Sequence, residues 1–254
     1  MNKEIINKIN SIITEDPKVC IILGSGLDSL IDFIQNKKII PYNKINGFIK
    51  TSVLGHVGQF VYGYIQGIPI LCAQGRFHYY EGHSFEDVGI IIKIFDHYKP
   101  NNVIITNSSG CLRLDWKIGK FMLVKKIIDF SFINSNSPEI YQLNNNSKVN
   151  MDIYHGAYTY TIGPTYETEA EIKEIISLGG DAVGMSTFPE YLMCKKFNIS
   201  PIIISCLTNY GAGLIQRKVL HQDVLKNAEN VKQEFSVLIK KIIRNIVPQK
   251  RQTI

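Results

Sequence analysis

Gly75-Arg76-Phe77-His78-Tyr79-Tyr80-Glu81-Gly82-His83 places a cation, imidazoles, phenols and a carboxylate together between an apolar run and a helical pattern. The chain nearly always uses lysine for its cations, so an arginine two residues before a histidine stands out. It suits planar, two-point recognition of an oxyanion, which lysine cannot supply. Arg76 and His78 are therefore candidate anion ligands, whereas His83 and His97 read as structural or exposed.

Other polar strings follow apolar runs. Gly24-Ser25-Gly26-Leu27 lets backbone N–H groups approach an anion, with Ser25 adding a hydroxyl; the same string also makes a tight turn. Neither the G-x-G-x-x-G nor the G-x-x-x-x-G-K-[ST] spacing is present, which excludes both fingerprints. The string Thr106-Asn107-Ser108-Ser109-Gly110 offers hydroxyls and backbone donors to a sugar or phosphate, or is a polar turn. In Gly163–Glu171, Tyr166 beside Glu167 matches an aromatic base that needs stacking and an acceptor; equally, Glu167 is a charge at a helix N-terminus. In Asp181–Thr187 and Thr208–Gly213, Asn209 follows an apolar run and can donate and accept at a ring edge, or form a turn. His56, in Leu54-Gly55-His56-Val57-Gly58, and His221, ahead of the last helix, are equivocal alone.

The elements that must position these residues read as α/β: a single domain, with a central mixed β-sheet flanked by helices. Lys18–Leu23 is a buried strand; Phe60–Tyr64 and Ile68–Ala73 flank a Gln-Gly turn as a hairpin; Asn102–Thr106 and Ile202–Leu207 are continuous apolar strands ending at polar loops. Strand ends in such sheets are where ligands bind. Val224, Ala228, Val231, Phe235, Leu238 and Ile242 make one apolar stripe on a C-terminal helix. Ser131–Asn150, rich in Asn and Ser, reads as a mobile loop. Neither repeats nor a linker divide residues 1–254, which read as one domain.

A composition of 45% hydrophobic and 20% charged residues excludes disorder, collagen and coiled coil. The net charge of +6 comes from lysines spread over every segment; it suits an anionic substrate or, the favoured reading, solvated surface, and is weak evidence for nucleic-acid binding. Five scattered cysteines, Cys20, Cys72, Cys111, Cys194 and Cys206, form no C-x-x-C pair, which argues against a disulfide framework and for a reducing cytoplasm. No signal-peptide h-region and no apolar run of about 18 residues is present, so no membrane span is expected.

Taken in order, GSGL, LGHVGQ, GRFHYYEGH, TNSSG, GPTYETEAEI, DAVGMSTFPE, LTN and LHQDVL resemble the trimeric class of purine nucleoside phosphorylases from residue 24 to about residue 228. The resemblance implies a phosphorylase/hydrolase-like fold and reversible phosphorolysis of purine nucleosides in purine salvage. It implies phosphate held by Ser25, Arg76, His78, Ser186 and the backbone at Ser108, with His56 nearby. The purine would meet Glu167, Met185 and Asn209, with Tyr166 on its face, while Tyr80 and His221 hold the sugar. Asn209, Glu167 and His78 are the implied catalytic residues. Relatives acting on 6-amino purines carry Asp where Asn209 stands, which implies inosine or guanosine as substrate. No metal or organic cofactor is implied, orthophosphate is co-substrate, and the chain is expected to form a homotrimer. The rival readings are a methylthioadenosine or xanthosine phosphorylase, and a non-catalytic purine-binding homologue; GRFHYYEGH differs from the methylthioadenosine-cleaving relatives. Two departures stand out. TNSSGC replaces the family's TNAAGG, adding side chains near the sugar. The segment that supplies an aromatic residue to the neighbouring subunit is shortened, leaving Phe130, Phe132 or Tyr141 for that part.

Overall fold

The apolar runs become the inner strands of one mixed sheet in the computed structural model, which describes residues 3–49, 57–143, 151–215, 226–228 and 230–247. The strands are β1 (Val19–Leu23), β2 (Gln35–Pro41), β3 (Gln59–Ile65), β4 (Ile68–Gln74), β5 (Asn102–Cys111), β6 (Phe121–Asp129), β7 (Glu139–Gln142), β8 (Tyr154–Tyr160), β9 (Ala182–Gly184) and β10 (Ile202–Tyr210). The helices are α1 (Lys3–Asn10), α2 (Phe85–Val88), α3 (Ile90–His97), α4 (Glu169–Ser177), α5 (Phe188–Lys196) and α6 (Lys232–Ile246).

The sheet runs β10-β6-β8-β9-β5-β1-β4-β3-β2, with β7 on β6, and β10 also pairs with β5. One half therefore closes into a ring while the β1-β4-β3-β2 arm stays open. β1, β4, β5 and β10 are mutually parallel neighbours, so their C-terminal ends fall on one edge.

Both faces of the sheet are covered, which is why the central strands are continuously apolar rather than alternating. On one face α1, α3 and α5 pack through Ile9, Ile91, Phe95 and Phe188. On the other, α6 buries Phe235, Leu238, Ile239, Ile242 and Ile243, each contributing about 1.5–3 kcal/mol of burial. The stripe expected for this helix is largely realised: Ala228, Phe235, Leu238 and Ile242 are buried, Val231 lies at the helix start, and Val224 falls outside the described residues. Among the described residues no helix is long and apolar enough to cross a membrane.

Several expectations require correction. Thr106–Gly110 is not a loop: β5 continues to Cys111, paired with β10 from Ile104 onward. Its polar side chains tolerate the strand because backbone carbonyls receive them, Thr106 Oγ1 donating to Ile22 O at 3.0 Å and Ser109 Oγ to Cys206 O at 3.4 Å. β10 likewise runs past Leu207 to Tyr210, with an irregularity between Leu207 and Asn209. Ser131–Asn150 is not a mobile loop throughout, because Glu139–Gln142 forms β7, antiparallel to β6. Tyr141 anchors that strand: its ring packs 5.3 Å from Phe188 and 5.9 Å from Tyr191, with Lys195 Nζ over it at 4.9 Å. Residues 144–150 lie outside the described residues.

Candidate active site

Ser25 sits where β1 gives way to a short 3₁₀ turn over Asp28–Phe33. Gly24 is required there, since a Cβ would lie 2.7 Å from Asn107 Cα. The turn is stitched to β5 from both sides. Gly24 N–H donates to Thr106 Oγ1 at 3.1 Å, and Ser108 Oγ donates to Ser25 O at 2.8 Å. The hydroxyl that TNSSGC adds at Ser108 therefore fastens the Ser25 turn to β5.

Arg76 and His78 follow β4. The Arg76 side chain is 1% exposed and forms a two-point ion pair with Glu190, itself 0% exposed: Nε donates to Oε1 at 2.9 Å and Nη2 to Oε2 at 3.1 Å. Nη1 donates to Thr106 O at 2.6 Å and to Ser186 Oγ at 3.4 Å. The planar fork that the sequence assigns to an oxyanion is thus aligned on a carboxylate of the protein, because α5 brings Glu190 opposite β4. Arg76 still lines the cleft.

His78 is held by Glu81, whose Oε1 accepts from the His78 backbone N–H at 2.8 Å and lies 3.3 Å from Nδ1. Burial lowers the His78 pKa, outweighing the Glu81 hydrogen bond that raises it. The ring stacks on Tyr80, centroids 4.8 Å apart. Burial, with smaller contributions from Glu81 and Tyr166, pushes the Tyr80 phenol up to about 12, so it remains a donor at neutral pH.

Ser186 is fixed by its neighbours. Tyr158 OH donates to Ser186 O at 3.0 Å and accepts from its N–H at 3.3 Å. The next residue, Thr187, has φ +76° and ψ −42°, a strained backbone costing about 1–3 kcal/mol. Phe188 N–H closes the turn onto Ser186 O at 2.8 Å, and Asn107 Nδ2 donates to Thr187 Oγ1 at 2.9 Å.

Glu167 lies in the loop between β8 and α4. The structure resolves its two readings: Thr168 is the helix N-cap, reciprocally bonded with Glu171, so Glu167 precedes the helix. Thr161 Oγ1 donates to Glu167 Oε1 at 2.7 Å. Burial raises the carboxyl pKa, and the Thr161 bond only partly offsets it. Met185 closes against this loop, where a Cβ on Gly163 would collide with its Sδ. Tyr166 stays 40% exposed.

Asn209 sits at the β10 irregularity. Its Nδ2 donates to Tyr210 O at 2.9 Å, and Thr208 Oγ1 donates to its Oδ1 at 2.9 Å. Because a carbonyl can only accept, the Tyr210 contact identifies the nitrogen end of the amide.

Ser25, Arg76, His78, Tyr80, Ser108, Tyr166, Glu167, Met185, Ser186 and Asn209 all line one cleft. His56 and His221 lie outside the described residues. Sequence reasoning missed Glu190, Tyr158, Thr161 and the Asn107–Thr187 contact. Only Glu190 left a trace, as a lone acid on an otherwise apolar stretch of a basic chain, where burial demands a partner. Among the aromatics expected at a subunit boundary, Tyr141 is committed to its own core, whereas Phe132 is 48% exposed, with Phe130 edge-on at 4.9 Å.

Fold and cleft together place the chain in a class: residues 18–244 match the Phosphorylase superfamily. Purine nucleoside phosphorylase 1 of Geobacillus stearothermophilus is 33% identical over 271 residues, covering 97% of this chain and 99% of the relative. Purine nucleoside phosphorylase 1 of Bacillus subtilis is 34% identical, covering 90% and 92%. The crystal structure of Schistosoma mansoni purine nucleoside phosphorylase in complex with inosine superposes with a TM-score of 0.85 at 29% identity, covering 98% of this chain and 96% of that one. The chain belongs to the purine nucleoside phosphorylase family.

Proposed function

We propose that the cleft carries out reversible phosphorolysis of 6-oxopurine ribonucleosides and deoxyribonucleosides, such as inosine and guanosine, to the free base and (deoxy)ribose 1-phosphate. What carries the reading is the convergence of Arg76, His78 and Ser186 with Glu167 and Asn209 on one cleft. Inosine, which the Schistosoma mansoni relative binds, fits the same assignment. Phosphate rests against Ser25, Arg76, His78, Ser108 and Ser186. The base meets Glu167, Met185 and Asn209 under the Tyr166 ring, and Tyr80 faces the sugar. His56 near the phosphate and His221 at the sugar are assigned on the resemblance alone, since both lie outside the described residues.

As the C1′–N9 bond breaks, its electron pair moves into the purine and the sugar takes on oxocarbenium character. The phosphate dianion stabilises that cation, and one of its oxygens forms the new bond to C1′. Negative charge on the departing base is met by the Asn209 Nδ2–H donor at N7, while the Glu167 carboxylate accepts from N1–H. A 6-amino purine has no N1–H, so it leaves Glu167 without that donor. His78, kept neutral by burial, bonds to phosphate without adding a charge.

The working protein is a cytoplasmic homotrimer in this reading. Phe132 is the exposed aromatic that reaches the neighbouring cleft, and neither a metal nor an organic cofactor is required. The test is incubation with inosine, with and without phosphate. Phosphate-dependent release of hypoxanthine is expected; phosphate-independent release, or none from inosine and guanosine alike, contradicts the reading.

A further inference from the structure

Arg76 is the cation that the phosphate end of the cleft presents, and its charge is already matched. Glu190 lies in the first turn of α5, where the helix N-terminus favours an acid, and both oxygens are bonded to the Arg76 fork. Each side chain is almost completely removed from water, so the pair is held together in a low-dielectric setting. Four of the five guanidinium N–H donors are engaged by Glu190, Thr106 and Ser186. Burial favours the neutral form of His78 beside them. Of these groups only Arg76 and Glu190 carry charge, and the two cancel. An incoming dianion therefore meets a guanidinium shared with a resident carboxylate that repels it.

We propose that Glu190 is a resident counter-anion: it occupies the fork of Arg76 and thereby holds down the affinity for phosphate and for the phosphorylated sugar product. It is a positioning residue, acting through Arg76. Its charge keeps the empty site from stranding a buried cation, and it weakens the grip on the product that must leave. The inference rests on the reading of this cleft as a phosphate site.

The test compares inorganic phosphate binding by the full-length wild type, Glu190→Gln and Glu190→Asp, by calorimetry and by phosphate-induced shifts in melting temperature. Gln keeps the size and one acceptor but removes the charge. Without phosphate this variant melts below the wild type. Its phosphate Kd falls by about tenfold, its phosphate-induced melting shift exceeds that of the wild type, and its phosphate KM falls while its inosine KM stays within about twofold. A purely structural Glu190 would lower the melting temperature equally with and without phosphate, leaving Kd and the KM ratio unchanged. Should Gln fail to fold, Asp retains the charge on a shorter stem and is expected to tighten phosphate by about threefold, in the same direction. Unchanged or weakened phosphate binding in the folded variants overturns the proposal. Absence of phosphate binding by the wild type overturns the reading of the cleft itself.

Discussion

The two ends of the cleft are built differently. At the end proposed for phosphate, Arg76, Ser186, Thr187 and Glu190 are buried, and Tyr158, Thr106 and Asn107 fix them through multiple bonds. At the base end, Glu167 is held through its side chain by Thr161, Asn209 by contacts with its immediate neighbours, and Tyr166 is exposed. The difference follows from the sheet. Ser25, Arg76 and Ser108 lie at or beside the ends of β1, β4 and β5, and Ser186 in the turn between β9 and α5, whereas Glu167 and Tyr166 occupy the loop between β8 and α4. Such a division suits a constant inorganic co-substrate at one end and a base whose substituents must be discriminated at the other.

The largest effect is expected from breaking the anchored end. Arg76→Met leaves Glu190 as an unpaired buried charge, so a loss of about 3–5 kcal/mol in stability together with loss of phosphorolysis is expected, read by denaturant unfolding and inosine turnover. Near-native stability would mean that Glu190 finds another partner.

At the base end, activity should suffer while the fold does not. Glu167→Gln is expected to lower kcat/KM for inosine by about 10²–10³, with phosphate binding retained. It should also stabilise the apoprotein at neutral pH. Burial raises the folded carboxyl pKa above its unfolded value, so the contribution of Glu167 to stability is present below the unfolded pKa and is lost as pH rises through the folded one. Unfolding curves across that window measure the effect: the advantage of the Gln variant should grow with pH. Asn209→Asp should cost less in total activity but redirect it, raising the ratio of adenosine to inosine turnover; an unchanged ratio would remove Asn209 from base recognition. The smallest effect is expected for Ser108→Ala, which loses one bond to the anion loop: about 0.5–1.5 kcal/mol in stability, with a modest rise in phosphate KM.

What could be read ahead of the structure depended on how locally each feature is encoded. β1, the β3–β4 hairpin and the burial of α6 follow from apolar runs and periodicity, which are local. The polar end of β5 was not legible as strand, because what satisfies Thr106 and Ser109 is the carbonyls of Ile22 and Cys206, distant in sequence. β7 was hidden for a similar reason, its Asn- and Ser-rich surroundings masking a single half-buried anchor, Tyr141. Arg76 stood out by residue type, yet its partner Glu190 is 114 positions away, so the direction of the fork could not be read.

In the proposed reaction one cleft holds an inorganic anion and a purine at opposite ends. A crystal structure with phosphate and hypoxanthine both bound tests it most directly. The expected result is an anion against Arg76, His78 and Ser186, with the base ring between Tyr166 and Met185 and hydrogen-bonded to Glu167 and Asn209. A purine bound away from Glu167 and Asn209, or an anion that avoids Arg76 and Ser186, would contradict it.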